Sequence, residues 1–318
     1  MKNTLTKLIS SPKIFSYTVL WMIILVFFGT LAQKDIGLYE SQMRYFSSYF
    51  FLLGGFIPLP GGRLVLLIMT INLAASLFKK NLWKVKKTGI IIVHLGGLLL
   101  LLGGGVTALF SSEGNMVIAE GETSNHVDDY FDMELAFVNT SRDDSLEYTV
   151  FDAPLLNDGN SITYEDFGIQ IDIISHMENV RIESRISPAE KIYKGFLKEF
   201  VLLPLRPEKE ATQNRPGIII KLSGLSSEKD GIYGIFLGQK TPDTFQINGD
   251  LYFTEFRRKR TYLPFSISLL DFEKIMHPGT NVAKSYSSEV NLIENSIPRR
   301  ILIQMNEPLR HQNYTFYQ

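Results

Sequence analysis

The chain has 318 residues, 32 Lys+Arg against 33 Asp+Glu, no cysteine and a mean hydropathy of +0.05. Without cysteine there is no disulfide framework, Cys-type zinc site, CxxC redox pair or CxxCH haem attachment, and near-zero net charge with an acidic C-terminal part argues against nucleic acid as a partner. That near-zero charge is a cancellation: the first 110 residues carry 11 Lys+Arg and 2 Asp+Glu (+9), the remaining 208 carry 21 and 31 (−10), which suggests a membrane part joined to a water-exposed part.

Three charge-free runs lie in the first part. Ile14–Gln33 (20 residues) and Thr88–Ser112 (25 residues) are each long enough to cross a ~30 Å hydrocarbon core as a helix. Leu64–Phe78, with 15 residues, spans only ~22 Å, but Arg63 and Lys79 can snorkel and extend it. The expectation is a transmembrane domain over 1–110 with three helices at about 14–33, 63–80 and 88–110. The first run could instead be a signal peptide, but it is too long for an h-region and no convincing small-residue cleavage site follows it. Lys2, Lys7 and Lys13, and then Lys79, Lys80, Lys84, Lys86 and Lys87, place the N-terminus and the link between the second and third helices in the cytoplasm. Everything after Phe110 is then extracytoplasmic, on the periplasmic side of an inner membrane.

Between the first two helices, Tyr45, Phe46, Tyr49, Phe50, Phe51 and Phe56 read as an interfacial helix over 45–57, or else as a docking ledge for a partner. Gly54, Gly55, Pro58, Pro60, Gly61 and Gly62 then turn the chain back.

His94 stands in the third apolar run. An ionisable side chain there is expensive to bury and usually faces a bundle interior, a cavity or a ligand; the plainer reading is a neutral imidazole bonded to a neighbouring helix. It lies ~9 Å from the cytoplasmic end of its helix. Gly96 and Gly97, then Gly103, Gly104 and Gly105, give surfaces that another helix or a flat ligand can approach closely. An imidazole beside a glycine surface in an apolar slot suits a haem, with the imidazole as axial ligand. The other histidines, His126, His176, His277 and His311, lie in the outer part, ~24 Å of helix away, so a second ligand would come from another chain or from sequence outside this one.

From 111 to 318, period-2 runs such as Phe167–Ile173, Pro264–Leu269 and Arg300–Met305 predict an antiparallel β domain, a sandwich or an open barrel. Asn248-Gly249 marks a hairpin. Ser187-Pro188-Ala189-Glu190 reads as a capping box, followed by Ile192, Phe196, Phe200 and Leu203 at helical spacing. It predicts one amphipathic helix, packed on the sheet or lying on a membrane or partner. His126 reads as part of a solvated turn, His277 as a turn and His311 as surface. There is no Ser–His–Asp grouping, HExxH or phosphate loop, so no catalytic residue is assigned.

Gly29-Thr30-Leu31-Ala32-Gln33, Pro58-Leu59-Pro60-Gly61-Gly62-Arg63 and Ile92-Val93-His94-Leu95-Gly96 look like segments of the ResB/CcsB family of cytochrome c biogenesis. So do Glu120-Gly121-Glu122-Thr123, Phe265–Phe272 with Pro278-Gly279-Thr280, and Tyr314–Gln318. The ordered set resembles that family over essentially the whole chain. The resemblance implies machinery that takes haem across the membrane and supports its attachment to apocytochrome c. It implies His94 as an axial ligand of intramembrane haem b held non-covalently in transit, with Gly96 and Gly97 as places of close approach. A CcsA-type partner, separate or fused, supplies the opposing ligand and a Trp-rich haem-handling segment; this chain has only Trp21 and Trp83. It makes this chain a non-catalytic haem-delivery part of a synthase complex. The alternative is a membrane-anchored β-domain scaffold without haem. Relatives continue into a further transmembrane helix, so the expectation is that Gln318 truncates a longer protein.

Overall fold

The computed structural model describes residues 7–79, 82–141 and 146–318; Lys2 and Lys80 lie outside the described residues. Contacts divide the chain into two compact units, Met1–Ser112 with Arg206–Asn214, and Glu113–Leu205 with Arg215–Gln318.

The first unit is built on three helices. Helix α1, Pro12–Ile36, starts where Ser11 Oγ accepts from Lys13 N and Pro12 fills the first turn, the pairing of cap and proline that suits a helix start. Helices α2, Gly62–Leu77, and α3, Thr88–Phe110, follow. The expectation of three spanning helices is corrected to two: among the described residues only α1 and α3 are long and apolar enough to cross a bilayer. The 16 residues of α2 give ~24 Å. Nor is Lys79 free to extend it, because Nζ donates to Ser10 O (2.5 Å).

The aromatic segment is not the helix predicted over 45–57. One helical turn, Leu38–Ser41, runs into a π-helical turn, Gln42–Phe46. A hairpin of β1 (Phe50–Leu53) and β2 (Ile57–Pro60) comes next. Its closure is tertiary: Trp21 Nε1 donates to Pro60 O (2.9 Å), and Phe51 is buried with Leu25 of α1 and Val65 of α2. Gly61 and Gly62 lie so close to the Ser48 and Phe46 backbone that a Cβ at either would collide with it, which explains the paired glycines there.

The second unit is mainly antiparallel β. In chain order its strands are β3 (Gly114–Asn115), β4 (Thr123–Asn139), β5 (Glu147–Asp152), β6 (Ser161–Tyr164), β7 (Ile169–Met177), β8 (Val180–Ser184) and β9 (Phe200–Pro204). Then come β10 (Gly217–Ser223), β11 (Gly231–Phe236), β12 (Thr244–Ile247), β13 (Asp250–Met276), β14 (Ala283–Glu294), β15 (Ile297–Gln304), β16 (Leu309–His311) and β17 (Tyr314–Phe316). One sheet has the order β11-β10-β7-β6; a larger, open sheet runs β15-β14-β13-β4-β3 with β5 and β12 alongside. The predicted hairpin is present: β12 pairs with β13 across Asn248 and Gly249, both at positive φ.

Strand β13 is 27 residues long and serves two cores. Tyr252 and Phe256 pack between the two sheets with Phe137, Ile171 and Ile220. Further on, Leu263, Phe265 and Ile267 pack in a second core with Val290, Leu292 and Ile303. The first core takes even-numbered residues of β13 and the second odd-numbered ones, and the register against β4 shifts between them, with the extra residues in β4 opposite Arg258 to Arg260 and in β13 between Tyr262 and Ile267. Such irregularities bend a strand locally. Pro264 falls in the gap where β13 has no β4 partner, so its missing N–H leaves no ladder bond broken.

Just before the first shift, Arg257 is buried on the face opposite Phe256. Its Nε donates to Glu134 Oε1 (2.7 Å), both side chains only 4% exposed, and Nη1 to Glu255 Oε2 (3.0 Å). The guanidinium lies over the Tyr148 ring at 4.8 Å.

The amphipathic helix predicted after Ser187 does not form. Gly195 takes φ +50°, and a short 3-10 turn, Gly195–Lys198, leads into β9, which pairs with β8 from Ser184↔Phe200 to Val180↔Pro204. Phe196 and Phe200 stack at 4.7 Å, and Leu197 and Leu202 are buried with Met177 and Phe236. The apolar spacing was real, but strand pairing outcompeted a modest helix preference. A Cβ on Gly195 would strike the Asp243 carboxylate.

Burial pushes the Asp243 carboxyl above its ordinary range, against the Phe196 N–H it accepts from and the Lys229 and Lys198 charges. A raised folded pKa means the contribution to stability is present below the unfolded value and lost as pH rises through the folded one. Asp243→Asn is expected to raise the denaturant midpoint at neutral pH and change it little at about pH 4. Glu134→Ala leaves the buried Arg257 with only the partly exposed Glu255 as ion-pair partner, and is expected to cost ~3 kcal/mol in the same measurement, whereas replacing both Glu134 and Arg257 with leucine recovers most of that loss.

Candidate functional site

His94 lies six residues into α3, on a helix with no fully buried residue. Its Nδ1 is 2.9 Å from Ile90 O, one turn back. A carbonyl only accepts, so it is the Nδ1–H tautomer that makes this bond, and in that tautomer Nε2 is the nitrogen with the lone pair. No hydrogen bond to Nε2 occurs among the described residues. Backbone capture of one ring nitrogen fixes both tautomer and ring orientation, an arrangement found in metal-ligating histidines.

The glycines near His94 do not form one surface. At ~100° per residue, Gly97 lies about 60° from His94 around the helix and Gly96 about 200° away. A Cβ on Gly97 would come within 3.6 Å of Leu73 Cδ1 on α2, while one on Gly96, Gly103, Gly104 or Gly105 would meet nothing within 4 Å. Gly97 therefore sits at the α2–α3 contact, and Gly96 on an open helix face. Gly105, three turns on, comes back to within ~20° of His94.

A second polar feature of this unit is legible in the sequence by the same burial reasoning as His94, but was missed. Asn72, Ser76 and Lys79 recur along one face of α2 and its C-terminal end. Asn72 Nδ2 donates to Ile9 O (2.5 Å) and Ser11 O (2.9 Å), and Lys79 Nζ to Ser10 O. They satisfy the backbone just before α1, in a low-dielectric setting where unmet carbonyls are costly.

The remaining histidines are engaged in the second unit. His126 is in strand β4, not in a solvated turn, facing Tyr262 (5.8 Å between centroids) with Nε2 3.9 Å from Asp128. Burial, then the charge of Arg260, hold its pKa below the ordinary value, with Asp128 opposing. His176 in β7 packs edge-on against Phe256, and burial lowers its pKa too. His277 opens a turn as predicted, its carbonyl accepting from Thr280 N. His311, expected at the surface, has a side chain 16% exposed and packs on Phe265, 3.5 Å from Glu294. Two of these readings failed for one reason: the distant partner strand was not visible. Among the described residues no group of three or more His, Cys, Asp or Glu side chains could hold a metal.

A family model described as the ResB-like family matches residues 79–182 and 235–318, a span that includes α3 with His94 and the whole of β13 to β17. No curated protein matches the chain.

The glycine geometry gives a direct test. Gly96→Leu is expected to leave the thermal stability of the detergent-solubilised chain unchanged. Gly97→Leu should lower its Tm by forcing α2 and α3 apart, and Gly97→Ala should be tolerated because 3.6 Å is ordinary van der Waals contact.

Proposed function

The chain belongs to the ResB-like family, and from that membership we propose that it is the haem-delivery subunit of a cytochrome c biogenesis machinery. Membership ties the chain to cytochrome c biogenesis, and α1 and α3 give it two helices of membrane-spanning length. In this reading the N-terminus and the basic link before α3 are cytoplasmic and the β unit is extracytoplasmic. Haem b enters from the cytoplasmic side, and His94 Nε2 is one axial ligand of its iron.

The observation that carries the reading is the Nδ1–Ile90 O bond. An imidazole in an apolar helix could satisfy both nitrogens against neighbouring helices; this one commits Nδ1 to its own backbone and keeps Nε2 for a partner that lies outside the chain. The open surface at Gly105, which lies within ~20° of it around the helix, suits a flat macrocycle or a second protein's helix. The other histidines all belong to the β unit, and in this reading the opposing ligand comes from a CcsA-type partner. Haem is cargo here: it passes to that partner, where the bond to apocytochrome c forms, and this chain supplies no acid or base to that step. The β unit is the scaffold at which apocytochrome c meets haem.

The chain purified with its CcsA-type partner is expected to carry haem, and His94→Gly to lose the haem absorption spectrum and regain it with free imidazole. Haem content and spectrum unchanged in His94→Gly, with no response to imidazole, sink the ligand assignment. Normal cytochrome c maturation in a His94→Gly strain, with loss on deleting the β unit, selects the scaffold reading instead.

A further inference from the structure

Strands β13 and β14 continue as a two-stranded finger beyond the rest of their sheet. Pairing with β4 ends at Ser268, and pairing of β14 with β15 reaches only Ser287, yet β13 and β14 stay paired to Met276↔Ala283. At ~3.3 Å per residue the part beyond Phe272 extends ~13 Å. Every residue from Leu270 to Val282 is exposed, so neither face of the finger is covered by this chain.

Its chemistry changes along its length. The stem carries Asp271 and Glu273. From Lys274 to Lys284 there is no carboxylate, and the tip exposes Ile275 (44%), Met276 (36%) and Val282 (63%). Directly behind the tip is a cationic and aromatic layer: Lys274 lies over the Tyr286 ring at 5.6 Å, Tyr286 stacks with Phe272, and Lys284 is exposed beside them. The tip also satisfies its own backbone, with His277 N donating to Val282 O (2.9 Å), Thr280 N to His277 O (3.1 Å) and Val282 N to Thr280 Oγ1 (3.2 Å).

We propose that this finger dips its Ile275–Met276–Val282 tip into an anionic lipid surface, with Lys274 and Lys284 at the headgroups. Three features favour lipid over a protein partner. Apolar tip, basic layer and aromatic ring are ordered as depth in a membrane interface orders them. The three bonds that close the turn lower the cost of taking it out of water. The tip, Ile275 to Val282, has no Trp, Tyr or Arg of the kind that anchors protein interfaces. The chain brings its own membrane anchors, so the interaction is intramolecular with respect to the bilayer and needs little intrinsic affinity. The inference stands whether or not His94 binds haem.

The absence of native cysteine allows single-site labelling. The full chain carrying Val282→Cys with an environment-sensitive nitrobenzoxadiazole dye is placed in nanodiscs of phosphatidylcholine with phosphatidylglycerol. Expected are a blue-shifted emission and quenching by lipids bearing shallow doxyl groups, with neither at an exposed control site, Lys240→Cys. In Lys274→Glu/Lys284→Glu the quenching falls to the control level. Water-like emission at position 282, or quenching undiminished in the double variant, overturns the proposal; a blue shift without lipid quenching overturns it in favour of a protein contact.

Discussion

The two cores of the β unit meet on β13, the first taking its even-numbered residues Tyr252 and Phe256 and the second its odd-numbered residues Leu263, Phe265 and Ile267. Where one gives way to the other, the register against β4 shifts on either side of Arg260, and the chain there carries the basic run Arg257-Arg258-Lys259-Arg260. Side chains alternate along a strand, so Arg257 falls on the face opposite Phe256. It is buried there, where Glu134, directly across the ladder, and Glu255 neutralise it and Tyr148 covers it. Burial alone would pull the guanidinium pKa down; the Glu134 hydrogen bond and the Glu255 and Glu134 charges more than offset it, and the net direction is up. The pair is best understood as what holds β4 and β13 in register at the point where slippage would be most damaging, rather than as a source of stability in its own right.

The helical unit solves the related problem of polar groups among apolar ones. Asn72 and Lys79 are spent on backbone carbonyls of Ile9, Ser10 and Ser11, and Ser41 Oγ on Gly29 O. Each is a side chain closing a main-chain acceptor over a long sequence distance. His94 follows the same rule with Nδ1, but its carbonyl is local, one turn back on its own helix, so the second ring nitrogen is left to whatever approaches α3. That asymmetry separates His94 from the packing residues around it.

Legibility followed the range of the interaction. α3 was read as 88–110 and is Thr88–Phe110, because a continuous apolar run needs no partner to define it. The Asn248-Gly249 hairpin was equally local. Charge-free length overstates α2, because the engagement of Lys79 with Ser10 O is not written in it. The apolar period after Ser187 is compatible with a helix, whereas the deciding facts, β8 as a partner and Gly195 pressed against Asp243, lie elsewhere in the chain. His126 and His311 are likewise packed on residues distant in sequence, Tyr262 and Phe265. The return of Arg206–Asn214 to the helical unit left no local signal either.

From the sequence alone came the charge division near residue 110, the apolar runs of α1 and α3 (with a third span that the structure does not bear out), the antiparallel character of the second unit, the prominence of His94 and the family resemblance. All are properties of composition, period or ordered motif, which are written along the chain. Only the tertiary structure decided that the aromatic loop is a hairpin clasped by Trp21, that Gly96 and Gly97 have different surroundings, and that β13 supplies two cores. It alone placed Nδ1 of His94 against Ile90 O. These depend on angles around a helix and on register between strands. A bulge or a hydrogen bond of about 3 Å settles such things, and neither leaves a period in the sequence.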